Sequence, residues 1–251
     1  MLPELSSSPL SEYVAALNDR HRNSAAIAVL DYCLTDFPLG KTALVSSFGA
    51  ESVVLLHLVS LIDRSVPVLF LDTQMLFPET LAYQVEVAQR LKLADVRIIR
   101  PDRQQVLATD PDNTLHQRDH DACCDLRKTQ PLASALASFD TWISGRKRFQ
   151  GTTRAALEVF ETDGQTRIKV NPLAHWSPQQ IRQYILDNQL PRHPLVSRGY
   201  PSIGCAPCTS RVQNGEDPRA GRWRGHEKVE CGIHFINGQL VHGAQPQGET
   251  P

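Results

Sequence analysis

The feature that most constrains this chain is an alternation of short apolar runs with stretches of helical apolar spacing. TALVSSF, residues 42–48, is a β-prone run that stops at Gly49, and ESVVLLHLVSLI follows it with the periodicity of a helix. VPVLFLDT, residues 66–73, repeats the pattern ahead of the helical PETLAYQVEVAQRLKL, which has Pro78 near its start. VRIIRP reads as a third strand, residues 121–138 as a helix, and TWISGR, residues 141–146, as a fourth strand. The order predicts an α/β fold: a parallel or mostly parallel sheet with helices on both faces, taking ligands at the carboxyl ends of its strands. LEVFETDGQTRIKVNPL then predicts a hairpin about Asp163-Gly164. Residues 177–188 predict a helix with Ser177 as cap and Pro178 at its first position.

A chain of 251 residues with 41% hydrophobic content can fill one core, so one main domain is expected. Residues 1–213 are read as the α/β domain and residues 214–251, rich in Gly, Pro and charge at the start, as a flexible C-terminal segment. The formal net charge of −1 gives no general pull on a polyanion, although basic residues cluster in SGRKRF and DPRAGRWRGHEK. That balance points to a small anionic ligand and away from nucleic acid. MLPELSSSPLSEY lacks the pattern of a secretory leader, and no apolar run reaches the ~20 residues of a membrane span, so a cytoplasmic protein with no membrane partner is expected. Homo-oligomerisation is left open.

In a reducing compartment, cysteines are better read as ligands or nucleophiles than as disulfides. Cys123 and Cys124 are adjacent, a spacing that strains a mutual disulfide. Cys205 and Cys208 form a C-x-x-C. A single zinc ion is awkwardly addressed by adjacent thiolates, whereas a wider iron–sulfur cluster accommodates them, so a cluster on these four is favoured over zinc. A redox pair made by Cys205 and Cys208 is the weaker alternative. Cys33 matches no motif and is expected as a small buried hydrophobe.

SSFGAES, at a strand end and a helix start, offers hydroxyls, a glycine and free N–H groups that suit a phosphate. Ser46, Ser47, Phe48, Gly49 and Ser52 are therefore candidate substrate contacts, against the alternative of a tight turn with a capped helix. The stretch is not a G-x-x-x-x-G-K-[ST] loop. ECGIH near the end carries Cys231 and His234, an exposed nucleophile or an ordinary surface cysteine.

SSFGAES, LDT, CCDLRK, GCAPCT, DPRAGRW and ECGIH occur in an order that resembles the assimilatory adenylyl-sulfate (APS) reductases of the wider APS/phosphoadenylyl-sulfate (PAPS) reductase family. The resemblance covers roughly residues 42–234 and implies an adenine nucleotide α-hydrolase-like fold. It implies that Cys231 attacks the sulfur of APS, releasing AMP and leaving an S-sulfocysteine from which thioredoxin or a similar dithiol frees sulfite. It puts one 4Fe-4S cluster per subunit on Cys123, Cys124, Cys205 and Cys208. Lys128 lies between cluster and substrate in this reading, His234 joins Cys231 and Lys128 as catalytic, Leu71 and Asp72 contact the nucleotide, and Arg146, Arg219 and Arg222 hold sulfate and phosphate. The family often has LDTG where this chain reads LDTQ, with Gln74. The alternatives are a PAPS reductase and a PP-loop tRNA-thiolating enzyme.

The chemistry weighs cations above thiol acidity. A thiol of pKa ~8.5 is about 3% ionised at pH 7, and lowering its pKa by two units multiplies the thiolate roughly 25-fold. The accompanying loss of nucleophilicity removes about eightfold of this, leaving roughly threefold. Placement of the sulfur and stabilisation of the departing AMP must supply the rest.

Overall fold

In the computed structural model the structure describes residues 9–36, 40–226, 228 and 230. Two helices, α1 (Pro9–Arg20) and α2 (Ala26–Asp31), lead into β1 (Thr42–Ser46), α3 (Ser52–Ile62), β2 (Val68–Leu71), α4 (Pro78–Leu91) and β3 (Val96–Ile99). Helices α5 (Arg103–Thr109), α6 (Leu115–Arg118), α7 (His120–Cys124) and α8 (Gln130–Leu136) precede β4 (Thr141–Ile143). The hairpin β5 (Phe160–Asp163) and β6 (Arg167–Val170) and the helix α9 (Pro178–Asp187) follow.

The six strands form one sheet in the order β3-β2-β1-β4-β6-β5. All neighbours are parallel except β5 against β6, where the Asp163-Gly164 turn makes the antiparallel edge. Gly164 has φ 66°, the left-handed value such a turn asks of a glycine. The mostly parallel α/β expectation is met. The larger core, including Leu44, Val54, Phe70, Val87 and Ile181, joins strands to α1–α4 and α9, while Ala43, Leu69, Leu132, Leu136 and Trp142 form a second core with α8. Both faces are thus covered, which is why β2 is apolar at all four positions.

Chain order along the sheet reverses between β1 and β4, a switch point at whose carboxyl side open α/β sheets take their ligands. The other edge is closed differently: Asn18 of α1 donates to the Phe160 carbonyl at 2.9 Å and accepts from the Phe160 N–H at 2.9 Å, so its amide stands in for a neighbouring strand.

The helix expected over residues 121–138 is interrupted. Residues Asp125–Thr129 form a π-turn between α7 and α8, with the Gln130 N–H donating five residues back to the Asp125 carbonyl. Pro131 has no N–H to continue the regular ladder, which accounts for a break next to it. Lys128 is therefore not one α-helical turn beyond Cys124 as its spacing suggests. Ser177 caps α9 as expected, accepting from the Gln180 N–H at 3.2 Å with Pro178 in the first turn. Residues 214–226 of the expected C-terminal segment lie against the 208–212 stretch, through Ser210 N–H to Gly221 O at 2.8 Å and Trp223 N–H to Cys208 O at 3.1 Å.

Candidate active site at the carboxyl edge of the sheet

The loop from β1 to α3 turns on its own serines. Ser46 Oγ accepts from the Phe48 N–H at 3.2 Å, Ser52 Oγ accepts from the Gly49 N–H at 3.0 Å, and the Ser47 and Ser52 hydroxyls stand 3.5 Å apart. Phe48, at φ 46°, turns its ring fully into the core, edge-on to Phe70 at 5.2 Å. Of that candidate contact only the backbone can face a ligand. A Cβ added to Gly49 would stand 3.5 Å from the Ile203 carbonyl, so this loop adjoins the stretch that leads to Cys205.

Beyond β2, Leu71 and Asp72 are both buried. One Asp72 oxygen takes Arg100 Nε at 2.9 Å and the other takes the Gln74 N–H at 3.0 Å. Gln74 sits at φ 62°, which gives a physical reason for the glycine often found there in the resembling sequences. Thr73 Oγ1 lies 3.2 Å from Cys205 Sγ, and the Ala206 N–H donates to the Met75 carbonyl at 2.8 Å. The β2 loop and the C-x-x-C are one packed unit.

The loop after β4 brings cations to the switch point. Arg146 is buried, ion-paired with Glu161 and 3.4 Å from the Asn171 side-chain oxygen. Burial, helped by the charge of Arg154, pushes its pKa down to about 10, so it remains a cation at neutral pH. Lys147, also buried, donates from Nζ to Glu51 at 2.9 Å and to the Gly145 carbonyl at 3.1 Å. Burial holds its pKa below the usual lysine range, with Glu51 acting the other way. Arg154 grips Glu230 with two bonds of 2.5 and 2.7 Å, and Arg219 approaches the same carboxylate at 3.8 Å. Burial, then Arg154, pushes Arg219 down to about 10. Burial opposes ionisation of Glu230, yet the Arg154 bonds and the charges of Arg219 and Arg146 outweigh it and hold its pKa below the ordinary value.

Cys123, Cys124, Cys205 and Cys208 line one cavity, together with Met75, His116, His120, Arg127 and Lys128. All four are free thiols, and three are less than a tenth exposed. Burial pushes Cys123 up to about 11 against the pull of Arg127, so without a metal its thiol stays protonated. Behind the cavity wall, Arg127 pairs with the fully buried Asp110 at 2.7 Å and donates to the Thr73 carbonyl at 3.2 Å. Among the described residues no three His, Cys, Asp or Glu side chains close on a point that could hold a single ion. Thiolates are ligands of both zinc and iron–sulfur groups, so the donor set of this cavity fits a thiolate-held metal group. Three buried nitrogens have no hydrogen-bond partner among the described residues: His116 Nδ1, which lines the cavity, Trp223 Nε1, in the residue whose backbone bonds Cys208, and Arg222 Nε. Thiolates or an anionic ligand would supply the acceptors these nitrogens lack. Cys33, by contrast, lies in the larger core with a thiol that burial pushes up to about 12, as expected of a small hydrophobe.

Arg222 lies over the Trp223 ring at 4.5 Å, and any Cβ on Gly204 would fall 2.2 Å from its guanidinium. The glycine before Cys205 is what lets this arginine cross. The structure thus gathers the serine loop, the β2 loop, Arg146, Arg219, Arg222, Lys128 and the four cysteines along one edge, while Cys231 and His234 lie outside the described residues. Sequence reasoning missed Lys147, Arg154, Glu51 and Glu230. Lys147 was within the basic SGRKRF run, but nothing in GTTRA marks Arg154 as buried.

Residues 41–211 match the phosphoadenosine phosphosulfate reductase domain. The chain belongs to this family. It is 53% identical over 195 residues to a Mesorhizobium japonicum protein named adenosine 5'-phosphosulfate reductase, covering 78% of this chain and 76% of that one. A Chelativorans protein of the same name is 45% identical over 90% of this chain and 94% of its own length. A Gloeobacter violaceus relative, 40% identical over 77% and 82% of the two chains, is named phosphoadenosine 5'-phosphosulfate reductase. Among solved structures, a PAPS reductase from Candida auris superposes with a TM-score of 0.68 at 27% identity, over 84% of this chain and 100% of that one. The FMN adenylyltransferase of Candida glabrata, at 17% identity and a TM-score of 0.54 over 96% and 83% of the chains, shares the fold alone. The match to the family spans the serine loop, the sheet and all four cavity-lining cysteines of this chain.

Proposed function

We propose that this protein is an adenylyl-sulfate reductase that converts APS to sulfite and AMP at the expense of a thioredoxin-type dithiol, in assimilatory sulfate reduction. The observation that carries the reading is the convergence of four thiols on one cavity that also takes in Arg127 and Lys128, with Cys205 packed on Thr73 of the loop after β2. The names of the 53% and 45% identical relatives agree with it.

The Cys231 thiolate attacks the sulfur of APS, forming an S–S bond as the S–O bond to the AMP phosphate breaks and the electron pair leaves with AMP. A thiolate of the dithiol then attacks Cys231 Sγ, expelling sulfite, and its second thiol resolves the mixed disulfide, so that two dithiol electrons reduce the sulfur. The serine loop and the α3 N-terminus receive phosphate, with Leu71 and Asp72 beside the nucleoside. Arg146, Arg219 and Arg222 neutralise sulfate and the departing AMP, and Lys128, in the lining of the cysteine cavity, adds a further cation. His234, three residues after Cys231, serves the same thiol.

Cys123, Cys124, Cys205 and Cys208 would hold a 4Fe-4S cluster. When bound, it keeps those four sulfurs ionised and ties the 123–124 turn to the 205–208 loop beside the substrate.

The test is a side-by-side rate measurement with APS and PAPS on anaerobically purified protein, with thioredoxin as reductant. APS is expected to be strongly preferred, and comparable kcat/KM values would overturn the choice of substrate. Cys231→Ser is expected to stay brown and form no sulfonated enzyme; sulfite release by it at the wild-type rate would remove Cys231 from the mechanism.

A further inference from the structure

The residue before Cys231 is fixed to the body of the protein by a continuous line of hydrogen bonds. Glu230 takes both its bonds from Arg154, at 2.5 and 2.7 Å, a two-pronged carboxylate grip that sets direction as well as distance. Arg154 Nη1 reaches Gln150 Oε1 at 2.5 Å, Gln150 Nε2 reaches Glu51 Oε2 at 3.1 Å, and Glu51 takes Lys147 Nζ at 2.9 Å. Glu51 is the residue that precedes α3, at the phosphate-type loop. The side chains of Arg154 and Glu230 are 9% and 20% exposed, so this grip is shielded from water more than an ordinary surface pair.

Resting on the reductase reading, we propose that Glu230 is a positioning residue for sulfur transfer: its ion pair with Arg154 docks the C-terminal segment and sets where Cys231 is delivered. Cys231 is the next residue in the sequence, so one peptide bond joins this docking point to the nucleophile of the proposed reaction. A thiol gains little from acidity, and its rate depends on standing in line with the sulfur. A misplacement of about 1 Å costs on the order of 100-fold in such a step.

The test is single-turnover formation of S-sulfocysteine, followed by intact mass after rapid mixing of the full-length, cluster-loaded protein with APS in the absence of reductant. Glu230→Gln is expected to slow the step by about 10- to 100-fold at saturating APS with KM little changed. Glu230→Asp keeps the charge but withdraws it by one methylene, and is expected to fall between the two. Iron content and the melting curve of both variants report folding separately. Wild-type rates in Glu230→Gln would overturn the proposal. So would an undiminished rate with a lowered KM, the signature of a carboxylate that merely occupies the anion site until substrate displaces it. If the wild type itself forms no S-sulfocysteine from APS, the reductase reading falls first, and the docking role falls with it.

Discussion

Lys147 Nζ lies 2.9 Å from Glu51 Oε2, and this ion pair, with the Gln150 bond to the same oxygen, bridges the loop after β4 to the start of α3 across the switch point of the sheet. The lysine side chain is 3% exposed and the glutamate 29%, so loss of either charge leaves the other partly desolvated. Lys147→Met is expected to lower stability by about 3 kcal/mol, and Lys147→Met with Glu51→Gln by less than the sum of the single changes. Urea unfolding of the four proteins in the cycle measures the coupling.

Arg127 and Asp110 make a more enclosed pair, with side chains 1% and 0% exposed. Asp110 also accepts from the Leu115 N–H at 2.8 Å, and Arg127 holds the Thr73 carbonyl beside Cys205. Arg127→Leu strands the carboxylate and is expected to cost roughly 3–5 kcal/mol. Chemical denaturation would show it, and unchanged stability would mean that Asp110 finds another partner.

His193 gives the fold an acid limit. Its Nδ1 accepts from the Leu195 N–H at 3.2 Å, which assigns the proton to Nε2, 3.0 Å from Thr80 Oγ1. Burial pushes its pKa from 6.5 down to about 4. The unfolded chain therefore takes up a proton below pH 6.5 that the folded chain refuses until about pH 4. Stability from this residue is complete above that window and is lost through it as pH falls, to a total of roughly 3 kcal/mol. His193→Gln is expected to flatten the fall in urea midpoint between pH 6.5 and pH 4.

Gln74 at φ 62° carries a side chain where a glycine sits without strain. Gln74→Gly keeps the N–H bond to Asp72 and is expected to raise stability by up to about 1 kcal/mol, the relief of the left-handed backbone less the added freedom of the unfolded chain. Thermal melting decides the sign.

The sheet was legible because strand and helix periods differ, and because strands buried on both faces read as unbroken apolar runs. The hairpin and the capped α9 were marked by Asp163-Gly164 and by Ser177-Pro178. The four cysteines could be grouped by spacing alone. What the sequence hid were the tertiary facts: a buried Lys147 looks like any surface lysine, and the grip of Arg154 on Glu230 spans 76 positions. The π-turn before Pro131 was hidden too, since a proline early in a helix is as easily read as a start signal. The ring of Phe48 was hidden as well, for a residue inside a candidate phosphate loop can still send its side chain into the core.

Asn18 has a consequence for how copies of this chain can meet. Its amide already uses the outward N–H and carbonyl of Phe160, at 2.9 Å each, and α1 packs along β5. A second molecule cannot extend the sheet at that point without first peeling α1 away. Strand-to-strand growth is left to the β3 margin, where Arg97 carries its charge beside Asp95 and would have to be desolvated on contact. The protein therefore has one margin that is covered and one that is guarded by charge, and fibrillar pairing is discouraged from both sides.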